Sequence, residues 1–279
     1  LQSNGHDLLA VKPGGRVAIA LTGIDRAEVE RGDAVISPGR WWHTTTVDAS
    51  LTVLSELRHD LSRRGAFTWH VGSRAVPVRI RVLGAEALSP GAMGAVRIHS
   101  PVALPVLPGD RFVLRESGRD ETVAGGVVLD VDPVTRAAAA RPDDDPTRPV
   151  RERGSIAVHD LLLRLGLDAV PDSVEVLRVG DWLGSPEARQ RIDAHLDRLT
   201  EDPAGADVAA LDGVERVVAE SRDDLEIAGN RLRRAGTENT EERRVLEVFR
   251  SAGMTPPDVP DGDRQAVGDQ VRSGALVRS

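Results

Sequence analysis

Apolar residues recur at every second position through much of the first half of this chain, the spacing of a half-buried β-strand. In "AVPVRIRVLG", Val76, Val78, Ile80 and Val82 point one way, while Pro77, Arg79 and Arg81 point the other. "GGRVAIALTGI" sets Val17, Ile19 and Leu21 on one face, and "ASLTVLSEL" does the same with Leu51, Val53 and Ser55. "RFVLRES" and "ETVAGGVVLDV" follow turn signals at "LPGD" and "SGRD". Short strands separated by Gly, Pro and Asp predict one or two small β-barrels, with strands confined almost wholly to the region before Pro133.

The period then changes. "DPVTRAAAARPDDDPTRPVRERG" carries prolines at 142, 146 and 149 and the run Asp143–Asp145, which predicts a linker over 134–154. Beyond it, Ile156, Leu161, Leu162, Leu163 and Leu165 fit a short amphipathic helix. "SPEARQRIDAHLDRL" opens with a Ser185 cap and Pro186 at the first helical position. "NTEERRVLEVFRSAG" repeats the signature, with Thr240 as cap and Val245, Leu246, Val248 and Phe249 as the buried stripe. "DRQAVGDQVRSG" reads as a second helix and "ALVRS" as the start of a strand, the opening of a winged helix-turn-helix.

Composition narrows the class. The 279 residues are 40% hydrophobic and 29% charged, as in soluble globular chains of two or more domains. No apolar run approaches the roughly 18 residues that span a bilayer, and no secretory signal opens the chain, so a cytoplasmic location is expected. With no cysteine, disulfides and thiolate metal sites are excluded. Lys12 is the one lysine among 36 basic residues, so the arginine count reflects a GC-rich coding bias more than nucleic-acid binding. Leu1–Asp132 hold 15 basic and 15 acidic residues, and the remainder carries the whole net charge of −8. That sign argues against RNA or DNA contact by the second half taken as a whole. The absence of an initiator methionine and the abrupt end at "GALVRS" suggest a piece of a longer chain.

Candidate chemistry is sparse. The seven histidines show no metal-ligand spacing, and no nucleophile elbow occurs. The single lysine, in "AVKPGGR", has no Gly-x-x-x-x-Gly before it and belongs to no phosphate loop. No catalytic site, metal or cofactor is expected in this chain. "WWH", Trp41 to His43, reads as packing at a seam between domains. "GIDRAEVERGDAVI" interleaves acidic and basic residues before an apolar run. By spacing alone it is a solvated turn with Arg31 paired to Asp25 or Asp33.

Taken together, these segments resemble the translation factors related to elongation factor Tu. The run Gly23, Ile24, Arg26, Glu28, Val29, Glu30, Arg31, Gly32 resembles the end of their second domain. "LPGDRFVLRESGRDETVAGGVVLDV" resembles the end of the third, and "HVGSRAVPVRIRVL" that domain's middle strands. The order of barrels followed by winged helices resembles the selenocysteine-specific elongation factor (SelB) family. This resemblance implies a mixed fold, two antiparallel β-barrels followed by α/β winged-helix domains. Its divisions would be 1–40 (end of the domain 2 barrel), 41–133 (domain 3 barrel), 134–154 (linker), 155–236 (winged-helix-like) and 237–279 (start of a further winged helix).

The resemblance also implies partners: selenocysteinyl-tRNA, an mRNA hairpin that recodes UGA, and the ribosome, with no membrane and a monomeric factor. The winged helix that grips the hairpin would lie after Ser279. GTP and Mg would belong to a GTPase domain before Leu1. Glu30 matches the glutamate that contacts the ribose of the terminal adenosine. Arg31 stands open between a selenolate, an acceptor-end phosphate and an ion pair within the turn. Arg74 matches a position facing the T-stem backbone, and Arg63 and Arg64 fall in the loop before it. All three also suit a merely solubilising role. The alternatives are another elongation factor Tu-like factor, or a winged-helix DNA-binding regulator with the barrels as a sensor.

Overall fold

The computed structural model describes residues 1–279 except 4, 5, 8, 13, 237–239, 253–256, 261–263, 265, 266, 269, 270, 272–275 and 277–279. Its centre is one closed antiparallel barrel. After β1 (Gln2–Ser3) and β2 (His6–Asp7), which pair only with each other, the chain runs through β3 (His43–Val53), β4 (Leu61–Ser62), β5 (Phe67–Val71), β6 (Arg74–Leu83), β7 (Ala87–Leu88), β8 (Met93–Pro105), β9 (Arg111–Glu116) and β10 (Glu121–Asp130). The barrel order is β10-β3-β8-β6-β5-β9, and β9 closes back on β10. The short pair β4–β7 stands beside it.

Alternation explains the closure. Val76, Val78, Ile80 and Val82 of β6 all face inward, and so do Val47, Ala49, Leu51 and Val53 of β3. Trp69 and Phe112 meet edge to face with ring centroids 6.0 Å apart, filling one end of the core. Gly126 of β10 leaves room for them. A Cβ there would lie 2.5 Å from the Phe112 ring and closer still to the Ser50 carbonyl oxygen. Closure also removes free strand edges.

Residues 1–42 do not close the second barrel that the strand pattern suggested. Ile19, Leu21, Ile24, Val29 and Val35 remain 44–70% exposed. Beyond the β1–β2 ribbon, the regular element of this stretch is a 3-10 turn over Arg26–Glu28. Alternation marks which face of a strand is apolar, but the backbone still needs a neighbouring strand's N–H and C=O groups. Ala18 makes an isolated β-bridge, but among the described residues no strand pairs along Val17–Leu21.

The stretch expected as a linker is fastened to the barrel. Ala140 and Thr147 are buried, and α1 (Arg148–Arg153) begins inside it with Arg148, Pro149 and Val150 buried. The chain continues through β11 (Ser155–Ala157), α2 (Val158–Leu165), β12 (Leu177–Val179) and β13 (Trp182–Gly184), whose strands pair in the order β11-β13-β12. Next come α3 (Pro186–Leu199), β14 (Ala206–Asp207), α4 (Gly213–Glu220), β15 (Leu225–Ala228) and β16 (Arg231–Arg234), paired β14-β16-β15. The two units thus share one topology: helix, strand, helix, hairpin, with the first strand against the last. β-Structure therefore does extend past Pro133, and Ile156 lies in β11 rather than in a helix.

Local signals set the helix ends. The Ser185 hydroxyl accepts from the Ala188 N–H, and Pro186 takes the first position of α3. Asp212 and Glu215 form a reciprocal capping box at α4. α5 (Thr240–Ala252) buries Val245 but leaves Val248 exposed. The helix expected from "DRQAVGDQVRSG" and the strand expected from "ALVRS" lie largely outside the described residues.

Candidate functional site

The "EVERGD" turn sits against one end of the barrel. Its charges divide into spent and free. Asp25 caps the 3-10 turn, accepting from the Ala27 N–H at 2.9 Å, while Glu28 accepts from the Asp25 N–H at 2.9 Å. The Glu30 N–H donates to Asp33 Oδ2 at 2.7 Å, and the Asp33 N–H donates to the Glu30 carbonyl at 3.2 Å. Arg74 Nη1 donates to Asp33 Oδ1 at 2.8 Å, joining this turn to the first residue of β6. Gly32 has φ 101°, and a Cβ there would come within 2.6 Å of Arg74 Cδ.

Two charges of "EVERGD" are left over, and Arg26 just before it is likewise exposed with no described side-chain partner. Glu30 and Arg31 are exposed, and among the described hydrogen bonds and ion pairs none engages either side chain. The pairing of Arg31 with Asp25 or Asp33 is therefore not formed, because Asp25 caps a turn and Asp33 takes Arg74.

Arg63 and Arg64 lie elsewhere. They line a hollow of about 470 Å³ with Ser62, Arg81, Val82, Ala85, Glu86 and Ala87. Arg64 is oriented by its N–H, which donates to the Ser62 hydroxyl at 3.2 Å. Arg81 joins them from the outward face of β6, as its alternation with the inward neighbours Ile80 and Val82 requires. That alternation is readable in the sequence, and it could have added Arg81 to the candidates. Arg74 and Arg81 stand at opposite ends of β6, about 23 Å apart at ~3.3 Å per residue. The five candidates thus form two patches: Glu30, Arg31 and Arg74 at one end, Arg63 and Arg64 at the other.

A third feature is the seam between the barrel and the first helical unit. The Arg164 guanidinium lies 3.8 Å above the Trp42 ring and donates to Asp132 Oδ2 at 2.8 Å. Arg153 donates to the same oxygen at 2.9 Å. Arg148 Nη1 donates to Asp130 Oδ2 at 2.8 Å, with both side chains about 5% exposed or less. On the barrel flank, Arg97 grips both Asp48 oxygens at 2.6 and 2.8 Å, and that bond raises its pKa. Arg97 also donates to the Thr135 carbonyl at 2.8 Å. Trp42 accordingly serves packing, as its sequence context suggested, while His43 is exposed at the start of β3.

Among the described residues no group of three or more His, Asp or Glu could hold a metal ion, and no helix is long and apolar enough to cross a membrane.

Residues 48–135, covering nearly all of the barrel, match the family model described as the selenocysteine-specific elongation factor β-barrel domain. The barrel is thus similar to the β-barrel domain of selenocysteine-specific elongation factors. The selenocysteine-specific elongation factor of Desulfomicrobium baculatum is 31% identical to the chain over 129 residues. That stretch is 46% of this chain and 20% of the relative, so the chain matches about one fifth of that factor's length. The crystal structure of a bacterial selenocysteine-specific elongation factor, EF-Sec, superposes with a TM-score of 0.59 at 11% identity. The superposition covers 89% of this chain and 45% of EF-Sec, a likeness of fold extending past the barrel into the helical units.

Proposed function

We propose that this chain is the tRNA-facing and arm-forming part of a selenocysteine-specific elongation factor, which carries selenocysteinyl-tRNA to the ribosome and recognises an mRNA hairpin. The observation that carries this reading is the family's closed barrel with a carboxylate-bearing turn seated on its β5–β6 end. Among the described residues nothing engages the Glu30 carboxylate, and it is exposed, as a group that accepts from a ribose hydroxyl needs to be. Arg31 beside it offers a cation to the anionic end of the aminoacylated acceptor. Arg63 and Arg64, with Arg81, provide guanidinium groups for backbone phosphates at the other end of β6.

The repeated helix–strand–helix–hairpin units of 148–234 are winged-helix modules in this reading, with a further one starting near Thr240. They extend the factor toward the mRNA. Residues 1–42 belong with a second barrel completed by other parts of the factor, and GTP with Mg binds in a separate GTPase domain. The factor works in the cytoplasm.

The test is equilibrium binding of selenocysteinyl-tRNA to the full-length protein. A hydrogen bond to a charged acceptor contributes about 1.5–3 kcal/mol, so Glu30→Ala should weaken binding roughly tenfold or more, with GTP affinity unchanged. Unchanged tRNA binding would remove Glu30 from the interface.

A further inference from the structure

We propose that Asp33 and Arg74 form a latch that positions the Glu30 turn for RNA, with Arg74 serving the latch instead of a phosphate. The inference rests on the Glu30 reading above. One carboxylate bridges two elements: Asp33 Oδ2 accepts from the Glu30 N–H at 2.7 Å, and Asp33 Oδ1 accepts from Arg74 Nη1 at 2.8 Å. Within Gly23–Ile36, Asp33 is the one side chain for which a hydrogen bond to the barrel is described. The remaining polar links of the segment are local.

The steric fit points the same way. Gly32 approaches so closely that a Cβ would meet Arg74 Cδ at 2.6 Å and Arg74 Cα at 3.0 Å. The turn therefore rests on the Arg74 stem as well as pairing with its head. Arg74 itself is held by the barrel, because it pairs with Val71 across the tight β5–β6 turn. Most apolar residues of the segment supply little anchoring, since Ile24, Val29 and Val35 are 44–70% exposed and Ile36 at its end is half-buried. Without the latch, the backbone that carries Glu30 would have lost its polar link to the barrel.

The two roles open to Arg74 leave different signatures. A phosphate contact contributes to the salt dependence of binding, and its loss lowers the slope of log K against log salt by about 1. A latch residue leaves that slope alone. Two residues acting through one bond are also non-additive.

The experiment measures selenocysteinyl-tRNA binding by the full-length protein across a salt series. The variants are Asp33→Ala, Arg74→Ala, the double variant, Arg74→Lys and Glu30→Ala. The Glu30 amide exchange rate is measured in parallel without RNA. Each single alanine variant should weaken binding about five- to tenfold, the double no further, and the salt slope should stay constant. Arg74→Lys keeps a cation for Asp33 and should bind within about twofold of the parent. Glu30 amide exchange should quicken in Asp33→Ala and Arg74→Ala. If Arg74→Ala lowers the slope while Asp33→Ala binds normally, Arg74 is a phosphate contact and the latch is wrong. If Glu30→Ala alone weakens binding, the latch fails and the Glu30 reading stands. If the latch variants weaken binding but Glu30→Ala does not, the Glu30 reading fails and the assignment of the latch to Glu30 falls with it.

Discussion

The barrel and the arm behind it are held together by different physics. The barrel buries one continuous set of 23 apolar residues. The core clusters of the two helical units hold four and six, too few to define rigid bodies by packing alone. Arginine and carboxylate supply the rest. In the second unit Arg222 reaches Asp197 and Asp224, both at 2.7 Å, and Arg234 reaches the same two residues from β16 at 3.1 and 2.8 Å. Glu226 takes Arg233 at 2.6 Å. A chain poor in aromatic residues and rich in arginine thus builds its small units with side chains that normally face water. Six arginines of this unit, Arg189, Arg216, Arg222, Arg231, Arg233 and Arg234, are occupied internally, which accords with the acidic balance of the second half.

If that contrast holds, the largest loss should come from the barrel core. Trp69→Ala removes the 2%-exposed side chain that packs on Phe112 and should cost about 3–5 kcal/mol in denaturant unfolding. Asp130→Ala should follow at about 3 kcal/mol, because it leaves the Arg148 guanidinium buried without its closest partner. Replacing Asp130 and Arg148 together by apolar residues should cost less than Asp130→Ala alone, which a double-variant cycle would show.

Acid should loosen the arm selectively. Asp224 is held down to about 2, chiefly by its hydrogen bond from Arg222. Its folded pKa lies below the ordinary value of 3.8, so its contribution is complete above that value and is lost as pH falls toward 2. Amide exchange in Leu225–Ala228 and Arg231–Arg234 should therefore rise between about pH 4 and 2, and Arg222→Ala should abolish that pH dependence. Flat exchange through this window would mean that the ion cluster does not hold the second unit. The smallest expected effect is from Gly32→Ala. It should shift global unfolding by less than about 1 kcal/mol, since the turn contributes nothing to the core, while raising exchange at Glu30 and Asp33.

What could be read from the sequence follows the same division. The inward row Val76, Val78, Ile80 and Val82 was legible because a strand's faces are fixed by local period. The failure at Val17–Leu21 has the same origin, since the period names a face without naming a neighbour. Asp33 looked like one more turn carboxylate because its partner Arg74 is 41 residues away. Prolines and aspartates marked 134–154 as irregular, which much of it is, but composition does not say whether an irregular segment is docked. Arg148 sits in that segment with no apolar pattern to announce its burial. The three-residue strands of the first helical unit are too short for period two to register at all.

The docked segment has a consequence for reach. Thr135 is tied to Arg97, Arg148 to Asp130, and Arg153 and Arg164 to Asp132, so three successive fastenings separate the barrel from the first helical unit. A flexible tether would let a ligand on the arm wander relative to one on the barrel, and joining both would cost the entropy of straightening it. Here the spacing between the two ends is set by covalent geometry and buried charge. Two ligands held by one such molecule would lie at a defined separation, like marks on a ruler. Lengthening the segment would change nothing until the fastenings were broken.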